Sequence, residues 1–560
     1  MKLSVTTLTG LTSLFLFVSD AFVLPTLFEQ TFSTLNDESG ILEDYCTDEE
    51  LLASFTDYVS EFSFKPHLPY FLKPMVDSEK LQNSIKFDDL NSTVYDLYNI
   101  AKESEKKYGH PTRIIGSKGH WKTIKYILDQ FSEMKDYYEV SLQTFDALSG
   151  KITAFNLTDF KTNKPIENIT AFSLSPPVKP FIGKLIEIPN LGCSDADFEA
   201  VKSFDAFASY HGDKIALIER GVCPFGLKSE LAGKHGFKGV VIYDNEPENF
   251  DGLHGTLGEP TEHTVSTIGV SYEVGQSLID SIMLDPDYLL YFAMDSFVKK
   301  IKTKNIIADT KHGDPNNIVA LGAHTDSVEE GPGINDDGSG TISLLTVAKQ
   351  LTHYKIKNKV RFAWWSAEEE GLLGSNFYAY NLTQEENSKI RVFMDYDMMA
   401  SPNYEYEIYD ANNIDHPKGS EELKNLYIDY YKSKDLNYTL VPFDGRSDYV
   451  GFIENGIPAG GIAAGAEKNN LFNGGVLDKC YHLLCDDMNN LSWDAFMVNT
   501  KLIAHSVATF ARSFDGFPER QNVNGTSMGI TTATTTITTK GNRYGMAEPL
   551  FKYRADKLIV

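Results

Sequence analysis

Basic residues are missing from the start of this sequence: between Lys2 and Lys65 there is no lysine or arginine. Over the 560 residues, 51 Lys and Arg face 78 Asp and Glu, a formal charge of −27. That balance disfavours nucleic acid and anionic membranes as partners, since both are polyanions. Long apolar runs are also scarce. The one near the N-terminus, "LTSLFLFV", is too short to cross a bilayer, and no other segment approaches the ~20 apolar residues a membrane helix needs. Cysteine is rare, at five residues, and no C-x-x-C occurs, which argues against a cysteine zinc site. H-E-x-x-H is absent as well, so the commonest zinc-protease signature is excluded.

What is present begins with "MKLSVTTLTGLTSLFLFVSDAFVLPT". Lys2, the short apolar core and the small residues Ser19 and Ala21 make residues 1–21 a secretory signal peptide. The expected destination is the secretory pathway, ending in a lysosome-like vacuole or outside the cell. Sequons at Asn91, Asn156, Asn168, Asn381, Asn437, Asn490 and Asn524 are then expected to carry glycan. In an oxidising compartment we pair Cys193 with Cys223 and Cys480 with Cys485, leaving Cys46 over.

Residues 22–92 read as an acidic propeptide or extension, and a solvated helical arm fits the charge equally well. From 93 to 169 the pattern is globular. "GHWKTIKYILDQFSEM" has helical spacing, and "YEVSLQTF" and "KITAFNLTDF" alternate as two strands of a hairpin. Residues 170–298 look like an inserted module, with "KIALIERGVC", "FGLKSELAGKHGF" and "GVVIYDN" as strand, helix and strand. From 299 to 517 the rhythm is α/β: "NIVALGAH", "VRFAWWS", "IRVFMDYDMM" and "GIPAGGIAAG" are strands separated by helices such as "SGTISLLTVAKQLTHY". Residues 518–560 form a polar, Thr-rich tail expected to be disordered.

Several of these strands end in polar groups. "VALGAH" delivers His324, Thr325 and Asp326; "RFAWWSA" runs into Glu368, Glu369 and Glu370; "VFMDYDMM" carries Asp395 and Asp397. In α/β sheets that edge is where ligands bind. "GAHTDSVEEGPGINDDGSG" adds Glu329, Glu330, Asp336 and Asp337 beside His324. Like charges so close repel, and a divalent metal answers the repulsion, zinc being favoured where histidine contributes. Calcium in an EF-hand loop is excluded, because Gly333 and Leu344 would occupy its first and twelfth positions. "NDDGSG" also makes a good cap for the helix that follows.

Together, "GAHTDS", "GPGINDDGSG", "WWSAEEEGLLGS", "DYDMM", "GRSDY" and "CYHLLCD" resemble, in this order, the co-catalytic dizinc aminopeptidases over about residues 93–515. The 170–298 module resembles the protease-associated domain often inserted in that family. The resemblance implies a zinc exopeptidase fold: a mixed central sheet flanked by helices, with a β-rich protease-associated domain inserted. It also implies two Zn²⁺ per chain, one on His324 and Asp397, the other on Glu369 and His482, bridged by Asp336. Spacing alone does not choose between Asp395 and Asp397; the family's Asp-Met pair selects Asp397.

By the same resemblance Glu368 is the general base for a hydroxide held between the zinc ions, and Tyr481 is the oxyanion donor. Asp326 supports the His324 imidazole, Asp337 follows a cis peptide, Asp448 braces the metal residues and Arg446 lines the substrate pocket. The implied reaction removes N-terminal residues from peptides. A carboxypeptidase or dipeptidase on the same fold would want a cationic clamp, and Arg446 is the only arginine a motif places there. A non-catalytic peptidase-like receptor would have lost ligands, and all five positions are present here. Nothing in the sequence sets an oligomeric state.

Overall fold

The computed structural model describes residues 68–520 apart from 203–209, 246, 248–252 and 259. The signal peptide, Cys46, most of the acidic extension, Asn524 and the Thr-rich tail from residue 521 lie outside the described residues.

The longer helices that open the peptidase body are α1 (Ser78–Ser84), α2 (Phe87–Lys102) and α3 (Lys118–Ser132), with a single turn at Glu105–Tyr108 before the last. Side chains cap two of them, Asp77 accepting from the Lys80 amide and Ser117 from that of His120. Helix α2 buries Leu90, Val94, Leu97 and Ala101, and α3 buries Trp121, Ile124, Leu128 and Phe131, each set at helical spacing. All of these except Ala101 join the main core together with Val76, Leu81 and Ile85. The expected boundary between residues 92 and 93 thus falls inside α2, and the folded body starts earlier. The acids of α2, Asp88, Asp89 and Asp96, form only its outer face, and charge alone hid the apolar stripe behind them.

Strand β1 (Tyr138–Asp159) is one continuous strand of 22 residues, not the expected hairpin. Gly150 lies where the turn was expected, yet a Cβ there would meet Leu174 at 2.9 Å, so the glycine serves close packing. The module that follows runs β2 (Val178–Glu187), β3 (Asp213–Glu219), α4 (Phe225–Lys234), β4 (Gly239–Tyr243), β5 (Ser266–Val270) and α5 (Tyr272–Leu284). Its strands β2 to β5 are parallel neighbours, and Cys193–Cys223 is bonded as expected. Strand β6 (Leu289–Thr310) returns the chain and is β1's antiparallel partner along its length, from Asp159 opposite Leu290 to Tyr138 opposite Thr310. The expected module boundary at 298/299 therefore lies in the middle of a strand.

The remaining elements are β7 (Asp314–His324), α6 (Gly338–Leu351), β8 (Asn358–Trp365), α7 (Leu373–Asn381), β9 (Ile390–Tyr396), β10 (Glu407–Tyr409), α8 (Ser420–Ser433), β11 (Thr439–Val441), β12 (Ala459–Ala463) and α9 (Trp493–Arg512). The peptidase sheet runs β11-β10-β12-β9-β7-β8-β6-β1. Its first half of β6 pairs with β2 and its second half with β8, so one strand serves both parts of the molecule. Strands β8, β7, β9 and β12 are parallel, whereas β6 runs against β8 and β10 against β12, with β11 parallel to β10, giving the mixed sheet. All seven residues of β9 are buried, as a central strand covered on both faces requires. Among the described residues no helix is long and apolar enough to cross a membrane.

Candidate metal centre

The parallel strands carry their C-terminal ends to one rim. His324 is the last residue of β7 and pairs with Trp365 at the end of β8, which places Glu368 and Glu369 just beyond it. Asp397 follows the end of β9, and helix α6 begins after Asp336 and Asp337. Gly340 lets that helix approach: a Cβ there would stand 2.0 Å from the Tyr396 carbonyl oxygen. The Asp336–Asp337 peptide is cis.

Asp336 lies between the two histidines. One carboxylate oxygen is 3.3 Å from His324 Nε2 and the other 3.2 Å from His482 Nε2. Asp397 Oδ1 is 3.7 Å from His324 Nε2, and Glu369 Oε2 is 3.2 Å from His482 Nε2. The five side chains expected as ligands are therefore gathered as two pairs sharing one carboxylate. Donor atoms of His324, Asp336 and Glu369 lie within 4.8 Å of one another. His324 Nε2 and Asp397 Oδ1 are buried without a hydrogen-bond partner, which a cation would supply, so the donor set fits zinc.

The supporting groups are tied to the backbone. Asp337 accepts from the amides of His324 (3.0 Å), Gly340 (2.8 Å) and Met398 (3.2 Å), locking the ends of β7 and β9 to the start of α6. Asp326 faces His324 Nδ1 at 3.7 Å and accepts from the amides of Glu368 and Glu369. Val328 N–H donates to Glu369 Oε1, and Ser447 Oγ donates to Asp397 Oδ2. Asp395 Oδ2 accepts from the Tyr449 amide at 3.1 Å, and it is Asp397 that stands within ion-pair range of His324. Glu368 lies 3.9 Å from His324 Nε2.

Without cations, charge of one sign dominates. Burial lifts Glu368 well above the usual carboxylate range although His324 opposes it, and lifts Asp448, fully buried behind the site, to about 7. Burial works against the charged form of His482 too, yet Glu369 and Asp336 carry it to about 10. Burial pushes Asp336 upward, but both histidines hold it below its ordinary value.

His482 sits at φ 58° in the loop closed by Cys480–Cys485. The Tyr481 ring stacks on His482 at 3.8 Å between centroids, and its hydroxyl accepts from Arg446 at 3.0 Å. Arg446 lines the cleft but is held by both oxygens of Glu467, at 2.7 and 3.1 Å.

Two features escaped the sequence. Arg113 is fully buried beneath the metal loop and donates to the carbonyls of Thr325, Pro332 and Gly333. A lone arginine in "HPTRIIGS" offers no signal of that role. The second overturns an expectation: the amide of Asn490 is buried and donates to Asp478 at 3.0 Å and to Asp486 at 3.1 Å. Asp486 in turn accepts from the amides of Asn335 and Asp336, so Asn490 buttresses the bridging carboxylate and has no free nitrogen for a sugar. Asn156, Asn168, Asn381 and Asn437 are exposed and Asn91 is half-buried. Glycopeptide mapping of the mature protein is expected to find the Asn490 peptide unmodified while exposed sequons carry glycan; glycan on Asn490 in folded protein would contradict this packing.

The profile of Peptidase family M28 matches residues 305–507, and that of the PA domain matches residues 181–278. Aminopeptidase Y of Saccharomyces cerevisiae is 66% identical over 97% of each chain. Leucine aminopeptidase 2 of Trichophyton rubrum is 38% identical over 80% of this chain and 89% of its own. Among solved structures, an aminopeptidase from Aneurinibacillus sp. strain AM-1 is 25% identical with a TM-score of 0.64, covering 80% of this chain and 98% of its own. A zinc aminopeptidase from Bacillus subtilis is 25% identical with a TM-score of 0.51, covering 75% and 95%. The chain therefore belongs to peptidase family M28, with a PA domain inserted in the peptidase body.

Proposed function

We infer that this chain is a metallo-aminopeptidase that releases N-terminal residues from peptides, using two zinc ions. His324 and Asp397 would hold one, Glu369 and His482 the other, with Asp336 shared. The observation that carries this reading is the position of Asp336, one oxygen facing each histidine. When bound, zinc supplies Lewis-acid polarisation of the scissile carbonyl and an ionised water near neutral pH.

The chain's own residues do the rest. Glu368 is beside the metal residues without being needed as one of them, and serves as the base that takes the water's proton and returns it to the leaving amine. Asp326 orients the His324 ring, leaving Nε2 free toward the cleft. Burial raises the Tyr481 phenol well above its ordinary pKa despite Arg446, so the hydroxyl keeps its proton and can donate to the developing oxyanion. Aminopeptidase action is favoured over carboxypeptidase action because Arg446 is already committed to Glu467 and offers no free clamp for a terminal carboxylate. A receptor role is disfavoured by the complete donor set. The signal sequence and the two disulfides suit the secretory pathway, with a vacuole or the extracellular space as destination.

Aminoacyl anilides test the reading. Chromophore release is expected, abolished by a chelator and restored by zinc. Hydrolysis confined to substrates with a blocked amine and a free carboxylate would reverse the assignment, and failure to bind metal would end it.

A further inference from the structure

Three polar side chains beside the metal residues form a chain of their own. Glu467 lies shortly past the end of β12, Arg446 in the turn that follows β11, and Tyr481 in the disulfide-closed loop. All three line the same cleft as Asp336, Glu368 and Glu369. The turn that carries Arg446 is itself held in place. Its amide donates to Asp444 Oδ1 at 3.2 Å, and the Gly445 amide donates to the Tyr449 hydroxyl at 2.7 Å. The guanidinium then spans two partners. Nη1 and Nη2 donate to Glu467 Oε1 and Oε2, at 2.7 and 3.1 Å, and Nη2 also donates to the Tyr481 hydroxyl oxygen at 3.0 Å. The Arg446 side chain is only 17% exposed, so solvent and salt screen these contacts less than they screen an open surface pair.

The direction of the last bond matters. A guanidinium donates and never accepts, so the Tyr481 oxygen is the acceptor there and its own proton is left for another partner. Both Glu467 oxygens are engaged by Arg446. Among the described residues no acceptor is hydrogen-bonded to the Tyr481 hydroxyl. The ring is held as well, stacked on His482 and with the Arg446 guanidinium carbon 5.7 Å from its centroid.

We propose that Arg446 is a positioning residue for the reaction: held by Glu467, it fixes the Tyr481 hydroxyl with its proton turned into the cleft for the developing oxyanion. The proposal rests on the aminopeptidase reading above, with Tyr481 as the oxyanion donor. A donor set in place beforehand costs no reorganisation when the charge develops, and that is the source of its catalytic effect. The positive charge behind the phenol oxygen also strengthens the O–H as a donor, since linked hydrogen bonds polarise one another. Lysine could supply the charge but not the fork, having one nitrogen to share between Glu467 and Tyr481. In this role Arg446 acts through Tyr481 and need not touch substrate.

The test is a double-mutant cycle on zinc-loaded enzyme with aminoacyl anilides as substrates. Arg446→Met is expected to lower kcat about 10-fold, the scale of one charge-assisted hydrogen bond, with KM and zinc content unchanged. Tyr481→Phe lowers kcat by about 10²-fold, the scale of one lost oxyanion donor. In the double variant the Arg446 substitution adds nothing to that loss. Glu467→Gln changes a side chain that is 47% exposed, so folding is not at stake. It lowers kcat about 3-fold, the scale of a partly exposed ion pair, and only while Tyr481 is present. Binding gives a readout apart from turnover: a tetrahedral aminoacyl phosphonate loses about 10-fold in affinity in Arg446→Met, and loses nothing when the same change is made on Tyr481→Phe. Losses that multiply in the double variant overturn the proposal, because Arg446 then acts independently of Tyr481. A raised KM with kcat intact makes Arg446 a substrate clamp and overturns it too, as does loss of zinc from Arg446→Met. If the unsubstituted zinc-loaded enzyme hydrolyses no aminoacyl anilide, the aminopeptidase reading itself has failed, and the proposal with it.

Discussion

Glu368→Gln is expected to lower kcat by about 10³-fold while zinc content and thermal midpoint stay near those of the unsubstituted enzyme. Glutamine has the same shape and the same chain position, anchored by the Glu368 amide on Asp326 at 3.4 Å. What it loses is the ability to accept a proton. The side chain is only 9% exposed, so no solvent group stands ready to replace it. None of the four contacts among the proposed metal residues depends on it, since His324 faces Asp336 and Asp397 and His482 faces Asp336 and Glu369 directly. Zinc analysis and steady-state kinetics on the same preparation separate the two effects. A near-normal rate would take the base role away from Glu368, and a parallel loss of zinc would make it a ligand.

Asp336→Asn should be more damaging, emptying both metal positions and lowering kcat/KM by about 10³-fold or more, since each cation supplies several kcal/mol of charge stabilisation. The reason is geometric: among the described residues Asp336 is the carboxylate that stands within 3.3 Å of both histidines. Asparagine offers one oxygen and no charge, so on the proposed two-zinc reading one position would lose its shared ligand and the negative group between the cations would be gone. The prediction is read by metal content after dialysis against dilute zinc. Retention of two ions per chain would show that the flanking pairs suffice and that Asp336 does not bridge. Asp337, one residue further on, is the informative contrast, because its oxygens are occupied by three backbone amides and its work is to hold the loop.

How much of this was legible beforehand depends on whether the signal was local. Polar residues clustered directly after apolar strands mark a sheet edge, and His324, Glu369 and Asp397 could be named from that pattern with the family motifs. Strand, helix and strand in the inserted module were equally readable, because each element carries its own periodicity. The hairpin expected between residues 138 and 159 shows where local pattern stops: the chain there has turn-like composition, but Gly150 pairs with Val298, far along the chain, and the strand continues through it. The boundary at residue 92 failed for a related reason, since charge described only the solvent face of α2.

The chemistry was carried by residue type and order: an α/β sheet whose strand ends supply imidazole and carboxylate follows from periodicity and placement along the chain. Which of those groups face one another was decided only in three dimensions. Asp395 and Asp397 differ by two positions, yet Asp395 accepts from the Tyr449 amide while Asp397 faces His324. Asn490 carries a sequon, yet two buried aspartates claim its nitrogen. Arg113 has no motif at all, and its role comes from the backbone carbonyls that surround it. The physical reason is common to these residues. Desolvation and pairing are properties of neighbours brought together from distant parts of the chain, and a linear sequence does not record them.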